Sequence, residues 1–281
     1  MKLHEAARSG EPVEGLEIID CHAHLGPWFN FPIAGDPSAA GMVRVMDRCG
    51  IRAACIVPHL GIGPDFRGSN DLMLEALRKF PGRFFGLAIY NPHFPEESLA
   101  DLERSFRAGA IGIKIHPDTH LYPVTGRNYE PAWKFARQHR SFVLSHTWGD
   151  QRCHPDFFLE IARSYPSVRF ILGHSGGGPG GHEAAIRVAV KAANIFLDTC
   201  GSAIPGWWLE RLADGAGIDR LLLGTDCPFI DPRPAVGRIL MGRFSEAEKR
   251  AILGGNFRKH FLAGPAGRKR GRTPGARSSK E

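Results

Sequence analysis

Short apolar runs alternate with amphipathic stretches along this chain, and the alternation repeats eight times. The apolar runs fall at 16–24, 52–58, 83–90, 110–116, 142–146, 168–174, 194–199 and 220–226. Helical patterns follow near 38–49, 70–80, from 95, and at 129–140, 155–164, 182–193 and 207–213, and two further helices close the pattern. Pro95-Glu96-Glu97 puts acidic side chains in a first turn, where the helix dipole favours them. Ser245 with Glu248 three residues on is a capping box for the last helix. Runs such as 84–89 and 221–223 are apolar on consecutive residues, as strands covered on both faces must be. Eight β-strand and α-helix units give the count of a single-domain α/β (β/α)8 TIM barrel, which needs about 250 residues. An open doubly wound sheet fits less well. No G-x-G-x-x-G follows the first run, and the polar strand ends extend from the first run to the last, too far apart for the single crevice of an open sheet.

The remaining 281-residue organisation follows from charge and composition. Residues 1–15 form a polar N-terminal extension without the apolar stretch of a signal peptide, 16–262 the barrel, and 263–281 a basic tail. The net charge of +7 is concentrated in that tail. Arg268, Lys269, Arg270, Arg272, Arg277 and Lys280 stand against Glu281 alone, a balance of +5 that leaves the rest of the chain near neutral. The tail is rich in Gly, Pro and Ser and reads as disordered and solubilising. The folded part offers no electrostatic case for a specific nucleic-acid partner. No segment approaches the roughly 18 uninterrupted apolar residues of a membrane span. Six cysteines without a C-x-x-C pair read as reduced thiols, and the expected location is cytoplasmic.

The C-terminal ends of barrel strands meet at one mouth, where barrel enzymes build their chemistry. His22 and His24 end the first run, two apart and on one face; His146 ends the fifth, His174 the sixth and Asp226 the eighth, which closes beside the first. A lone histidine at a strand end is ordinarily a hydrogen-bonded structural residue. A His-x-His pair joined by further imidazoles and a carboxylate is a donor set for a borderline divalent metal such as Zn2+, with Mn2+ the alternative. Of His146 and His174, one reads as a third nitrogen ligand and the other as a base or electrophile beside the metal, or as a hydrogen-bond partner behind it. Asp226 could both bind the metal and accept a proton.

Asp20-Cys21-His22-Ala23-His24, Ser145-His146-Thr147, Gly173-His174-Ser175-Gly176-Gly177 and Gly224-Thr225-Asp226 together resemble the metal-site motifs of the amidohydrolase superfamily. The resemblance is to its amidohydrolase family 2 branch, which includes hydrolases and aminocarboxymuconate-semialdehyde-type decarboxylases. It covers about residues 16–262. It implies that His22, His24, His146 and Asp226 bind one metal, usually zinc, and that His174 orients or deprotonates a water on it. Two-metal members of the superfamily carry a carboxylated lysine on the fourth strand. Lys114 lies on that strand and shares a face with His116, so it is a candidate bridge to a second metal, a partner for a carboxylate, or a contact for an anionic substrate.

Trp28, Phe29 and Phe31 place aromatic rings in the first loop, where they either meet an apolar substrate or cap the barrel mouth. His59, Arg67, His116 and Trp148 are further substrate-binding candidates. The glycine run 176–181 lacks the Lys-Ser/Thr ending of a nucleotide loop and reads as a tight turn under the pocket. Three functions follow: a metal-dependent hydrolase acting on an amide, ester or lactone of a small organic substrate; a non-oxidative decarboxylase of an aromatic or unsaturated acid; and a catalytically silent binding barrel. Decarboxylation wants a cation for the carboxylate, and the loop 25–36 contains neither Arg nor Lys. A silent barrel would leave costly buried polar groups without a purpose. By resemblance, a homodimer is also expected.

Overall fold

The computed structural model describes residues 2–9, 15–149, 151–201 and 204–263. The basic tail from residue 264 onward lies outside them. Eight parallel strands pair in sequence order: β1 (Ile18–Leu25), β2 (Ile51–Pro58), β3 (Phe84–Ile89), β4 (Gly112–Ile115), β5 (Phe142–His146), β6 (Arg169–Gly173), β7 (Ile195–Asp198) and β8 (Leu221–Leu222). The ring closes through backbone bonds between β1 and the segment after β8. Cys21 N–H donates to Leu223 O at 2.8 Å, Asp226 N–H to His22 O at 2.9 Å and His24 N–H to Cys227 O at 2.7 Å. The chain is a single-domain (β/α)8 barrel, as its alternation implied.

Eleven α-helical segments are described: α1 (Leu3–Ser9), α2 (Ala39–Arg48), α3 (His59–Ile62), α4 (Phe66–Lys79), α5 (Pro95–Ala108), α6 (Glu130–Gln138), α7 (Phe158–Ser164), α8 (Pro179–Lys191), α9 (Gly206–Ala216), α10 (Pro232–Met241) and α11 (Glu246–Arg250). Side chains cap several of them: Ser38 receives the N–H of Gly41, Asp65 that of Gly68, and the Ser245–Glu248 box forms at α11. Two π-helical turns, Ala251–Gly255 and Arg258–Leu262, carry α11 onward. The polar N-terminal stretch contains a helix that its composition did not announce. Leu3 and Ala6 of α1 are buried, and Leu3 N–H donates to Glu246 at 3.0 Å.

The core divides by strand alternation. Cys55, Val57, Leu87, Ile89, Phe142, Leu144, Ile171, Phe196 and Leu222 fill the barrel interior, with Phe257 below them. Ala54, Ile56, Ala88, Ile113, Ile115, Val143, Leu172 and Leu197 face the helices. On β1 the alternation changes phase. Ile19 and Cys21 belong to the interior, whereas Ala23 and Leu25 face the helices. The pairing with β2 slips between Asp20↔Ala54 and Ala23↔Ile56, so three steps on β1 oppose two on β2. This bulge turns His22 and His24 into the barrel mouth, which strict alternation from Ile19 would have denied them. The last strand is also shorter than expected. Only Leu221–Leu222 pairs with β7, because Asp226 takes φ +65° and the chain from 223 bonds to β1 and to Ile252 instead.

Candidate functional site

The mouth of the barrel is lined by imidazoles around one ionised acid. His24 Nε2 lies 3.1 Å from Asp226 Oδ1, and His22 Nε2 lies 3.8 Å from the same oxygen. The other ring nitrogens are tied behind: His22 Nδ1 to Asp198 Oδ2 at 2.8 Å, and His24 Nδ1 to the carbonyl of Val57 at 3.0 Å. Both Nδ1 atoms therefore donate backwards, which turns each Nε2 toward Asp226 and leaves a lone pair on that of His22. Burial alone would raise Asp226, but the hydrogen bond from His24 and the neighbouring His174, His22 and His24 hold it well below the usual carboxylate range. Burial, followed by the Lys114 charge, keeps His22 neutral.

His174 follows β6 with φ +63°, and Ser175 after it has φ +46°. These are left-handed conformations that non-glycine residues hold only where the surroundings impose them. Asp198 imposes this one by accepting the His174 N–H at 2.7 Å. Burial pushes His174 down to about 4, and its Nδ1 has no hydrogen-bond partner among the described residues. Its ring lies 5.0 Å from that of His22 and 4.7 Å from that of His146. His146 is stacked on His116, 4.0 Å between centroids, with the Trp148 plane parallel on it at 5.9 Å. His116 Nδ1 accepts the N–H of Thr119 at 3.2 Å. Lys114 is fully buried, with Nζ 2.7 Å from His22 Nε2, and burial lowers its pKa.

The aromatic loop packs beside these groups. His59 begins the one-turn helix α3, stacks on His24 at 4.6 Å and donates from Nδ1 to Gly26 O at 2.8 Å. Burial drives it down to about 3. Trp28 meets His59 at 5.3 Å and Phe229 at 5.7 Å, while Phe31 meets Phe229 at 4.9 Å. Phe29 and Phe31 stay largely exposed, so these rings form a wall of the mouth rather than a sealed core. The glycine run is a tight turn: Gly176 and Gly177 have φ +87° and +74°, and a Cβ on Gly177 would fall 2.2 Å from the Trp148 indole. Arg67 does not join the group through any described contact; it is exposed on the first turn of α4.

Four contributors escaped the sequence reading. Asp198, at the end of β7, accepts from His22, from His174 N–H and, at 3.1 Å, from Cys200 N–H, while burial raises it to about 6. A carboxylate ending the apolar run 195–198 was the available signal. Asp20 accepts from the N–H of His22 and of Thr225 and from the Thr225 hydroxyl, which braces β1 against the β8 end; burial raises it to about 7. Cys200 lies in a buried group with His22, His174 and Asp226, one donor atom from each within 4.8 Å of the others. Phe229 reaches the mouth only because the chain turns after Asp226, and no pattern marks it.

A barrel with a buried His/Asp donor cluster at the C-terminal ends of its strands defines a class of barrel enzymes with metal-capable mouths. Within that class this chain belongs to the amidohydrolase family, whose model matches residues 19–261. A curated relative, 2-keto-4-carboxy-3-hexenedioate hydratase of Sphingobium sp., is 26% identical, with 75% of this chain and 76% of the relative covered. A 5-carboxyvanillate decarboxylase of Novosphingobium aromaticivorans, solved with bound manganese, superposes with a TM-score of 0.69 at 17% identity, covering 88% of this chain and 97% of that one. A probable 2-pyrone-4,6-dicarboxylic acid hydrolase of Acinetobacter baumannii gives 0.69 at 17%, covering 87% and 99%. Decarboxylase and hydrolase names thus occur among the structures that share this fold, and a hydratase name on the curated relative. No described helix is long and apolar enough to cross a membrane.

The donor geometry fits a divalent cation. Bonds of 2.0–2.2 Å put neighbouring donors roughly 3.0–3.5 Å apart. Of the observed distances from Asp226 to the two histidines, 3.1 Å lies inside that range and 3.8 Å just beyond it. Asp198 and the Val57 carbonyl hold these two imidazoles from behind, as outer partners hold metal ligands.

Proposed function

We propose that the protein is a metal-dependent hydrolase that adds water to an amide, ester or lactone carbonyl of a small organic substrate. His22, His24 and Asp226 hold one divalent metal, zinc by the nitrogen and oxygen character of the donors, and His146 completes the set that the family pattern implies. When bound, that ion supplies Lewis acidity, polarising a carbonyl and acidifying water at neutral pH. The carrying observation is the contrast between Asp226, ionised, and His174, neutral with an unpaired buried Nδ1. Both groups are deprotonated at neutral pH and so both can accept a proton, and the unpaired nitrogen is the one free to receive it. His174 Nδ1 takes the proton of the attacking water, and Asp226 holds the imidazolium by its charge. Trp28 and Phe31 shield the reacting bond from solvent, with His59, His116 and Trp148 completing the substrate walls. Hydration of a conjugated acid, the reaction in the name of the Sphingobium relative, would use the same water and the same base.

Decarboxylation of an aromatic acid is the second reading, favoured by the ring wall of Trp28, Phe31 and Phe229 and by Lys114 as the buried cation at the mouth. Metal content decides the first part of the proposal: His22→Ala and Asp226→Ala should both purify folded and metal-free, and full metal in both refutes it. Incubating the loaded enzyme with lactones and with aromatic acids decides the second, since acid production supports hydrolysis and carbon dioxide release replaces it with decarboxylation. Lys114 Nζ and a metal compete for the single Nε2 lone pair of His22, so an ion that binds there displaces the ammonium, and one ion per chain is expected with or without bicarbonate. Bicarbonate-dependent uptake of a second ion would make Lys114 the bridge.

A further inference from the structure

We propose that Cys200 is a thiolate donor to the metal at this mouth and biases the site toward thiophilic cations such as zinc and cadmium over manganese and magnesium. The inference rests on the metal-dependent reading above and adds a ligand to it. Cys200 is fully buried, two residues past the end of β7. Its sulfur belongs to the group in which His22, His174, Cys200 and Asp226 each present a donor atom within 4.8 Å of the others. Sulfur and nitrogen or oxygen donors on one tetrahedral zinc lie about 3.6 Å apart, so the sulfur closes on His22 and Asp226 by no more than roughly 1.2 Å to share the cation, with His174 left beside it as the base.

Two further features point at the same spot. His174 Nδ1 is buried without a partner among the described residues, and a Cβ on Gly201, the residue after Cys200, would lie 3.4 Å from it. An unsatisfied nitrogen therefore faces the Cys200–Gly201 turn. On the other side, a Cβ on Gly224 would fall 2.9 Å from Cys200 Cβ, so the β8 end approaches the cysteine as closely as a bare backbone allows. Asp198 fixes the turn by accepting the Cys200 N–H at 3.1 Å through the carboxylate that orients His22. One acid thus positions an imidazole and a thiol around one point. Coordination replaces the S–H bond by a sulfur–metal bond and releases the proton to solvent. Thiolate is the softest donor a protein offers, and its presence separates zinc and cadmium from the harder oxygen-seeking ions.

Cobalt(II) titration of the metal-free full-length protein tests this by absorption. Bound cobalt should show its visible ligand-field bands together with thiolate-to-metal charge transfer in the near ultraviolet. Cys200→Ser should keep the visible bands and lose the charge transfer, with cadmium affinity falling roughly tenfold against manganese. The reverse variant, with the other five cysteines replaced by serine, should retain the charge transfer, so the assignment does not depend on one substitution folding. Bound cobalt without a near-ultraviolet band in the unaltered protein overturns the thiolate while leaving the metal site standing. The same band in Cys200→Ser also overturns it. Failure of the unaltered protein to retain any cobalt overturns both the thiolate and the metal-dependent reading.

Discussion

Asp198→Asn is the substitution whose consequence the structure determines most closely. The carboxylate accepts from His22 Nδ1 on Oδ2, and from the N–H groups of His174 and Cys200 on Oδ1. An amide of the same shape has one acceptor oxygen. If that oxygen stays on the two backbone donors, the NH2 meets His22 Nδ1–H, and the imidazole must move its proton to Nε2 to relieve the donor–donor contact. The proton then occupies the lone pair that faces Asp226 and Lys114 Nζ. If the amide turns round, two backbone N–H groups lose their acceptor and the left-handed His174 loses its anchor. Losing one charge-assisted bond costs about 1.5–3 kcal/mol. Misorienting a ligand imidazole lowers metal affinity about 10–100-fold, or roughly 1.4–2.7 kcal/mol at the binding step. Chelator competition measures the affinity, and nitrogen NMR of the ring reports which nitrogen of His22 carries the proton. Affinity within about twofold of the unaltered protein, with the proton still on Nδ1, would refute the reasoning.

Gly177→Ala should lower Tm by several degrees, since it forces a side chain at φ +74° into ring atoms 2.2 Å away at a cost of about 1–3 kcal/mol; unchanged Tm and tryptophan fluorescence would contradict the Trp148 contact. Burial lowers His174 from 6.5 to about 4, so the neutral base persists as pH falls through the ordinary imidazole range; its own acid limb should lie near pH 4, below the Asp198 carboxyl at about 6, and ring NMR showing His174 protonated near 6.5 would sink its role as a buried base. Trp28→Ala should raise KM for an aromatic substrate by roughly tenfold with kcat nearly constant, because the indole walls the mouth through its ring contacts with His59 and Phe229; a fall confined to kcat would place it in the chemistry instead.

What could be read in advance and what could not follow from how far each feature depends on closure of the ring. Buried strands run apolar on consecutive residues wherever they pair, so 84–89 and 221–223 announce themselves locally. The site residues that stand at run ends, His22, His24, His146, His174 and Asp226, inherit that legibility. Asp198 and Cys200 also stand at a run end. They acquire meaning only when β7 lies beside β6 and β8, because their partners sit 176, 24 and 2 residues away. Phe229 depends on the turn at Asp226, whose positive φ no periodicity encodes. The β1 bulge is different in kind. Ile19 and Cys21 must face the barrel interior to fill it, and His22 and His24 must face the mouth to meet Asp226, yet a period of two cannot put 21 and 22 on one side. The apolar pair and the imidazole pair are compatible only if one residue is inserted between their phases. The slip between Asp20 and Ala23 is that insertion, so its trace was already present in the order Ile19-Asp20-Cys21-His22-Ala23-His24.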